Sequence, residues 1–153
     1  MKKVVLGLSG GVDSAVSTRL LQNAGYEVHG LFLDIGNPVS RADAEAAAAS
    51  LGVELTVADV AAELEREVCA PFAASYLRGE TPNPCILCNP AVKFRRLCDH
   101  ADALGAEAIA TGHYARVKDG KLLRATSSKD QSYMLCRLRP EQVRRLILPL
   151  GEF

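Results

Sequence analysis

The sequence predicts an α/β fold: a doubly wound, mostly parallel sheet with helices on both faces, and a small β-hairpin in the C-terminal part. Three observations predict it. Short apolar runs rich in strand formers alternate with longer stretches of helical spacing. A glycine turn, Ser9-Gly10-Gly11-Val12-Asp13-Ser14, joins the first such run to the first helical stretch. Lys118-Asp119-Gly120-Lys121 lies between Val117 and Leu122-Leu123, and Asp-Gly between apolar flanks signals a tight hairpin. At 153 residues and 48% hydrophobic, the chain can build one domain, 1–153, around a real core.

Taken in order, Val4-Val5-Leu6-Gly7-Leu8 reads as a buried strand. Val12, Ala15, Val16, Leu20, Leu21 and Ala24 recur at helical spacing and predict the apolar side of the first helix. Gly25 turns the chain into a second strand, 27–34, which Asn37-Pro38 ends. The alanine-rich stretch 40–51 predicts a helix capped by Ser40, with Asp43 three residues on and Gly52 closing it. A third strand is expected at 53–57, then a helix over 61–77 interrupted at Pro71. Three prolines in the thirteen residues 78–90 predict an irregular loop. A helix over 92–104 stops at Gly105. Ala108-Ile109-Ala110 is a short strand ending at Thr111-Gly112-His113, and Pro140 opens a last helix to Leu148. Ligands of such sheets sit outside the carboxyl ends of the strands. The glycine turn, the residues after Leu33 and Thr111–His113 are therefore expected to converge.

Strand, glycine turn and helix in succession aim backbone N–H groups and the positive end of a helix at an anion. Gly10 and Gly11 admit close approach, and Ser9 and Ser14 add hydroxyls. The turn lacks the Gly-Lys-Ser/Thr ending and the dinucleotide spacing of the two common nucleotide loops. The second informative stretch is Asn83-Pro84-Cys85-Ile86-Leu87-Cys88-Asn89. Two cysteines two residues apart beside prolines can ligate a metal or iron–sulfur cluster, form a redox pair, or supply a nucleophilic thiolate. Lys93, or a helix start at Val92, would activate a thiolate there. Cys69, Cys98 and Cys136 are isolated and read as small core residues, which argues against a closed zinc site.

Net charge is zero, but residues 1–76 carry five basic and ten acidic side chains, and residues 77–153 thirteen and eight. A basic half can meet a polyanion such as RNA, although charge counts alone favour an ordinary solvated surface. No apolar run approaches the ~20 residues that span a bilayer. Met1-Lys2-Lys3 leads straight into the first strand rather than into a cleavable signal. The expected place is the cytoplasm, without membrane partners, and five cysteines there imply thiol or metal chemistry rather than a disulfide framework.

Ser-Gly-Gly-Val-Asp-Ser resembles the PP-loop of ATP pyrophosphatases, enzymes that hold the pyrophosphate of ATP while a substrate oxygen attacks the α-phosphate. With Thr-Pro-Asn-Pro-Cys-Ile-Leu-Cys-Asn followed by Lys-Phe, Ala-Thr-Gly-His-Tyr and Lys-Asp-Gln-Ser-Tyr, in this order, the chain from Lys3 to Gly151 resembles tRNA-specific 2-thiouridylases of the MnmA kind. The resemblance implies that ATP, with Mg²⁺, adenylates the 2-oxygen of the wobble uridine and releases pyrophosphate. A cysteine persulfide then displaces AMP. It implies that Gly7, Leu8, Ser9, Gly10, Gly11, Val12, Asp13 and Ser14 bind the ATP phosphates. Leu33 would contact adenine through its backbone, and Gly112 would lie against the nucleotide. Cys88 would be the nucleophile, with Cys85 and Asp13 as further catalytic residues. Asn83, Pro84 and Cys85 would line the base site with His113 nearby, and Lys129, Asp130 and Gln131 would contact RNA. The implied partners are tRNA and a cysteine desulfurase or sulfur-relay protein.

Some features depart from that family. Its central linker domain, terminal β-barrel and downstream second cysteine have no counterpart in these residues, the loop after Asp34 is short, and Cys85 stands where many relatives have aspartate. Three readings stay open at this stage. One is the N-terminal catalytic domain of a thiouridylase. Another is a stand-alone thiolase of a free nucleobase, with Cys85, Cys88 and one more cysteine holding a [4Fe–4S] cluster or with Cys88 recharged directly. The third is a non-catalytic nucleotide-binding module.

Overall fold

A computed structural model describes residues 1–153. Five parallel strands form the sheet in the order β3-β2-β1-β4-β7: β1 is Lys2–Gly7, β2 Tyr26–Asp34, β3 Glu54–Asp59, β4 Ala108–Ala110 and β7 Leu146–Ile147. Val4 pairs with both Val28 and Ala108, so β1 lies between β2 and β4. The chain builds outward from β1 to β2 and β3, then crosses to the opposite side for β4. That reversal opens a crevice at the carboxyl ends of β1 and β4. The expected antiparallel hairpin is present as β5, Ala115–Lys118, and β6, Lys121–Arg124. Asp119 (φ 52°) and Gly120 (φ 71°) both take the left-handed conformation its two-residue turn requires.

Both sheet faces are covered. Val4, Leu6 and Val28 pack on one face against Leu21 of α1 (Val12–Asn23) and Ala48 of α2 (Pro38–Leu51). Val5, Leu31 and Ile109 pack on the other face against Phe94, Leu97 and Ala101. The alternation of Val4, Val5 and Leu6 between the two faces is the period-2 signature of a strand buried on both sides.

Several elements differ from expectation. The first helix turns Ser14, Ser17, Thr18 and Leu21 inward, and leaves Val12 77% and Val16 42% exposed. Small hydroxyl residues let α1 lie close to the sheet, and the Thr18 hydroxyl donates to the Ser14 carbonyl at 2.9 Å, so its burial leaves no unpaired donor. Asn37 rather than Ser40 caps α2: its Oδ1 accepts from Val39 N and Ser40 N, with Pro38 at the first helical position. Neither Pro71 nor Pro90 breaks its helix. In α3, Ala61–Leu64 runs through a π turn, Glu65–Cys69, into Ala70–Leu77. In α4, Cys85–Cys88 runs through a π turn, Asn89–Lys93, into Phe94–Leu104. The extra residue of a π turn changes which carbonyl faces the proline ring. Cys85 and Cys88 therefore sit on helix, not on an irregular loop. Finally, the last helix, α5 (Pro140–Arg145), ends short of Leu148, and Leu146–Ile147 forms an edge strand on β4.

Cys69 and Cys136 are exposed and Cys98 is half-buried, so the expected core role fails for the first two. The basic run around Phe94 is also largely spent inside the fold. Arg95 and Arg96 both pair with Glu63 of α3, and the Arg96 hydrogen bonds, ahead of any other influence, hold that carboxyl below the usual range. No helix is long and apolar enough to cross a membrane.

Candidate active site

Gly7 and Leu8 carry β1 to the crevice, where the Leu8 N–H still pairs with the Leu31 carbonyl at 3.0 Å. The chain then turns on Gly10, at φ 85°. A Cβ there would stand 2.7 Å from the carbonyl carbon of Asp43 and 2.8 Å from the nitrogen of Ala44. The glycine is thus required by close packing on α2 as well as by its dihedral. Gly11 caps α1 with no side-chain acceptor on the first-turn N–H groups. Ser14 Oγ donates to the Gly11 carbonyl at 2.9 Å and lies 3.3 Å from Ser9 Oγ. Opposite, Gly112 follows β4 so closely that a Cβ would stand 3.0 Å from the Asp13 carbonyl carbon and 3.1 Å from Ser14 N. The two strand ends thus meet through backbone.

Between them lies a cavity of about 460 Å³. Of the residues expected at the site, Gly7, Leu8, Ser9, Asp13, Ser14, Leu33, Cys88, Gly112, His113 and Gln131 line it. Gly10, Gly11, Val12, Asn83, Pro84, Cys85, Lys129 and Asp130 do not. Gly10 and Gly11 shape the turn, and Val12 points outward. Asn83 Oδ1 accepts from Cys85 N at 3.1 Å, a cap on the first turn of α4. Asp130 organises its own loop, accepting from Ala125 N at 2.7 Å and Ser132 Oγ at 2.8 Å. The Lys129 ammonium lies 5.2 Å over the Tyr114 ring, and the Tyr114 hydroxyl donates to Asp13 Oδ1 at 3.2 Å. Gln131 exchanges hydrogen bonds with the Tyr114 backbone. The Lys129–Gln131 segment is therefore tied to the glycine turn through Tyr114, a tie that sequence reading missed.

Residues 2–153 match the family model described as the tRNA methyl transferase HUP domain. This chain belongs to that family. It is 45% identical, over 99% of its length, to a tRNA-specific 2-thiouridylase MnmA of Polynucleobacter asymbioticus, of which it spans 45%. It is 43% identical to the protein of the same name from Syntrophotalea carbinolica, spanning 47% of it. The chain thus covers about half the length of these relatives. Among solved structures it is similar to a predicted subunit of a tRNA methyltransferase from Methanocaldococcus jannaschii (TM-score 0.59, 20% identity, all of this chain and 70% of that one). It is also similar to a glutamine-dependent NAD⁺ synthetase of Acinetobacter baumannii (TM-score 0.52, 22% identity, 71% of this chain and 21% of that one). Both likenesses are of fold.

In this HUP domain the cysteine turn is held from behind. Asn89 is buried and its Nδ2 donates to the Met134 carbonyl at 2.9 Å, and Gln142 Nε2 donates to the Pro90 carbonyl at 3.3 Å. Cys88 packs against Val60, Val68 and Val92. In an α-helix, residues five apart point to well-separated faces. The π turn Asn89–Lys93 widens the helix here and brings Lys93 round to the cavity that Cys88 also lines. The Lys93 stem passes Gly7, and burial pushes its ammonium below the usual lysine range, against the pull of the Cys88 and Cys85 thiols. Burial likewise pushes the Cys88 thiol up, and Lys93 is the strongest group opposing that. Of the two expected activators of a thiolate there, Lys93 acts in the expected direction, and the expected helix start at Val92 is replaced by a π turn. Cys88 lies within a helix that starts at Cys85, and desolvation outweighs the lysine. Lys93→Met is expected to slow alkylation of Cys88 by iodoacetamide several-fold near neutral pH without lowering thermal stability, since it replaces a buried amine by an apolar isostere. Peptide mapping of the alkylated chain checks it.

His113 Nδ1 lies 2.8 Å from Thr111 Oγ1. Burial first, then Lys93, depresses its pKa to about 3, so the imidazole is neutral at physiological pH. Between about 3 and the ordinary 6.5 the unfolded chain binds this proton and the folded chain does not. Stability is therefore expected to fall as pH drops through that window, and His113→Gln to flatten the fall. Urea midpoints measured across pH test this.

The apolar wall of Phe32, Ile35, Val60, Leu64 and Val92 was also missed by sequence reading. These residues carry no chemical motif, and only the strand order brings them together. Among His, Cys, Asp and Glu side chains, no group of three or more is arranged to hold a metal ion. Cys85 and Cys88 are therefore not joined by a third side chain already in ligating position, although Cys69 lies near enough to Cys88 to influence its ionisation.

Proposed function

We propose that this domain catalyses ATP-dependent 2-thiolation of the wobble uridine of tRNA. The observation that carries the reading is a single cavity lined both by the glycine turn and by Cys88 and Lys93. The uncapped N–H groups of α1, with Ser9 and Ser14, bind and orient the phosphates of ATP. The apolar wall beside Leu33 takes the adenine. Asp13, the one carboxylate lining the cavity, would hold the Mg²⁺ that accompanies ATP and offsets charge at the phosphates.

The 2-oxygen of uracil attacks the α-phosphorus, and pyrophosphate leaves along the glycine turn. Adenylation turns a poor leaving group into a phosphate ester. Lys93 beside Gly7 is placed to offset the charge that builds during this step, and a neutral His113 can hydrogen-bond the base without repelling Lys93. A sulfane sulfur carried on Cys88 and supplied by a persulfide donor, such as a cysteine desulfurase or relay protein, then attacks C2 and expels AMP. An RNA backbone can be met by Lys129, which lies over the Tyr114 ring, and by the hairpin arginines Arg116 and Arg124.

The test supplies ATP, a persulfide donor and either unmodified tRNA or free uracil, and reads nucleosides by mass spectrometry. Thiouridine in tRNA digests supports the reading. Thiolated free base with unmodified tRNA would shift the acceptor to a small molecule, and bound ATP with no AMP from either acceptor would leave a binding module.

A further inference from the structure

Cys85 lies outside the cavity, yet it is not remote from the chemistry. It occupies the first position of α4, and Cys88 lies one turn on, on the same side of the helix. Helix geometry sets their Cα atoms about 5 Å apart, inside the range that a disulfide spans. Both thiols are free and half-buried. Cys85 lies at the helix start, its N–H held by Asn83 Oδ1 and its carbonyl accepting from the Asn89 N–H. Cys88 is fixed by its N–H to the Pro84 carbonyl at 2.9 Å and by the packed π turn behind it. One thiol thus lines the cavity, and its neighbour stands outside it one turn earlier on the same helix.

We propose that Cys85 is the resolving thiol of this site, releasing the product sulfur from Cys88 by forming a Cys85–Cys88 disulfide. The inference rests on the function proposed above. Once the sulfane sulfur has attacked C2 and AMP has left, that sulfur is bonded to both the base and Cys88 Sγ. The Cys85 thiolate attacks Cys88 Sγ. An Sγ–Sγ bond forms, the bond to the product sulfur breaks, and its electron pair leaves on the thiocarbonyl sulfur, which the pyrimidine ring stabilises. The proton lost by Cys85 ends on the product. The two cysteines supply the two electrons, and an external dithiol reductant restores them. Cys69 on α3 also lies near Cys88, close enough to influence its ionisation, and is the competing resolver.

The test uses dithiobisnitrobenzoate, whose aryl sulfur stands in for the product sulfur, and so does not depend on RNA or ATP. The chain carrying Cys69→Ser, Cys98→Ala and Cys136→Ser is treated with one equivalent. Release of two aryl thiolates per chain, with a Cys85–Cys88 disulfide in the peptide map, is the expected result. Adding Cys85→Ser should slow the second release at least a hundredfold and leave a stable mixed disulfide on Cys88, and Cys85→Ala should do the same. One release and a stable adduct with Cys85 present overturns the proposal, as does a Cys69–Cys88 disulfide in the diamide-oxidised chain with all five cysteines. Either outcome leaves thiolation by Cys88 standing. Failure of the thiolation assay does not alter the aryl thiolate count, so the two failures are told apart.

Discussion

Cys88→Ser is expected to cut thiolated product by about a thousandfold or more, the scale on which loss of an attacking group acts, while pyrophosphate release in the first turnover persists. Serine keeps the shape of Cys88 with one smaller, more polar atom at a half-buried position beside Val60, Val68 and Val92, so the fold and the glycine turn are expected to stand. Only the atom that carries sulfur is lost. The expected signature is an uncoupling: AMP and pyrophosphate form once, and no thiouridine appears. Single-turnover nucleotide analysis beside nucleoside mass spectrometry reads both products. Loss of pyrophosphate together with thiouridine would instead give Cys88 a part in adenylation.

Gly10→Ala is the change expected to damage the phosphate end most. Two effects add there, and other glycines separate them. Gly25 has the same φ, 85°, with nothing within 4 Å of an added Cβ, so Gly25→Ala is expected to cost only the dihedral strain, about 1 kcal/mol. Gly11 has φ −80° and its nearest atom is Ser9 Oγ at 3.6 Å, so Gly11→Ala should be nearly neutral. At Gly10 the same strain meets the Asp43 and Ala44 backbone at under 3 Å, which a side-chain rotation cannot relieve. The turn must lift off α2, at about 2–4 kcal/mol in all. For a chain of this size that lowers Tm by about 10 °C. Calorimetry on the three variants checks the order, and ATP affinity should fall for Gly10→Ala and stay unchanged for Gly25→Ala.

These two positions also show what sequence could reveal. The glycine turn, the Cys85–Cys88 spacing and the Asp119-Gly120 hairpin are local signals, each set by a few adjacent residues, and all three stand in the structure. The convergence of Gly7, Leu33 and Gly112 followed from strand order in a parallel sheet and holds as well. What was hidden depends on packing. The side of α1 that faces the sheet is chosen by close approach, which favours Ser17 and Thr18 over the more apolar Val12 and Val16. The π turns leave no pattern in composition, yet one of them converts Lys93 from a member of a basic run into the cation beside Cys88. Leu146–Ile147 is too short to be told from the helix before it. Nor could sequence weigh burial against Lys93 at Cys88, where burial wins.

The central claim is that ATP is spent to activate a carbonyl oxygen that sulfane sulfur then replaces. Heavy-oxygen labelling at the 2-position of the target uridine tests it most directly. The chain is supplied with labelled tRNA, ATP and a persulfide donor, and the nucleotide products are resolved by mass spectrometry. The account predicts that the label leaves in the phosphate of AMP, one atom for each thiouridine formed. Label retained in the RNA, or thiouridine formed with ADP and unlabelled phosphate as the nucleotide products, would contradict it.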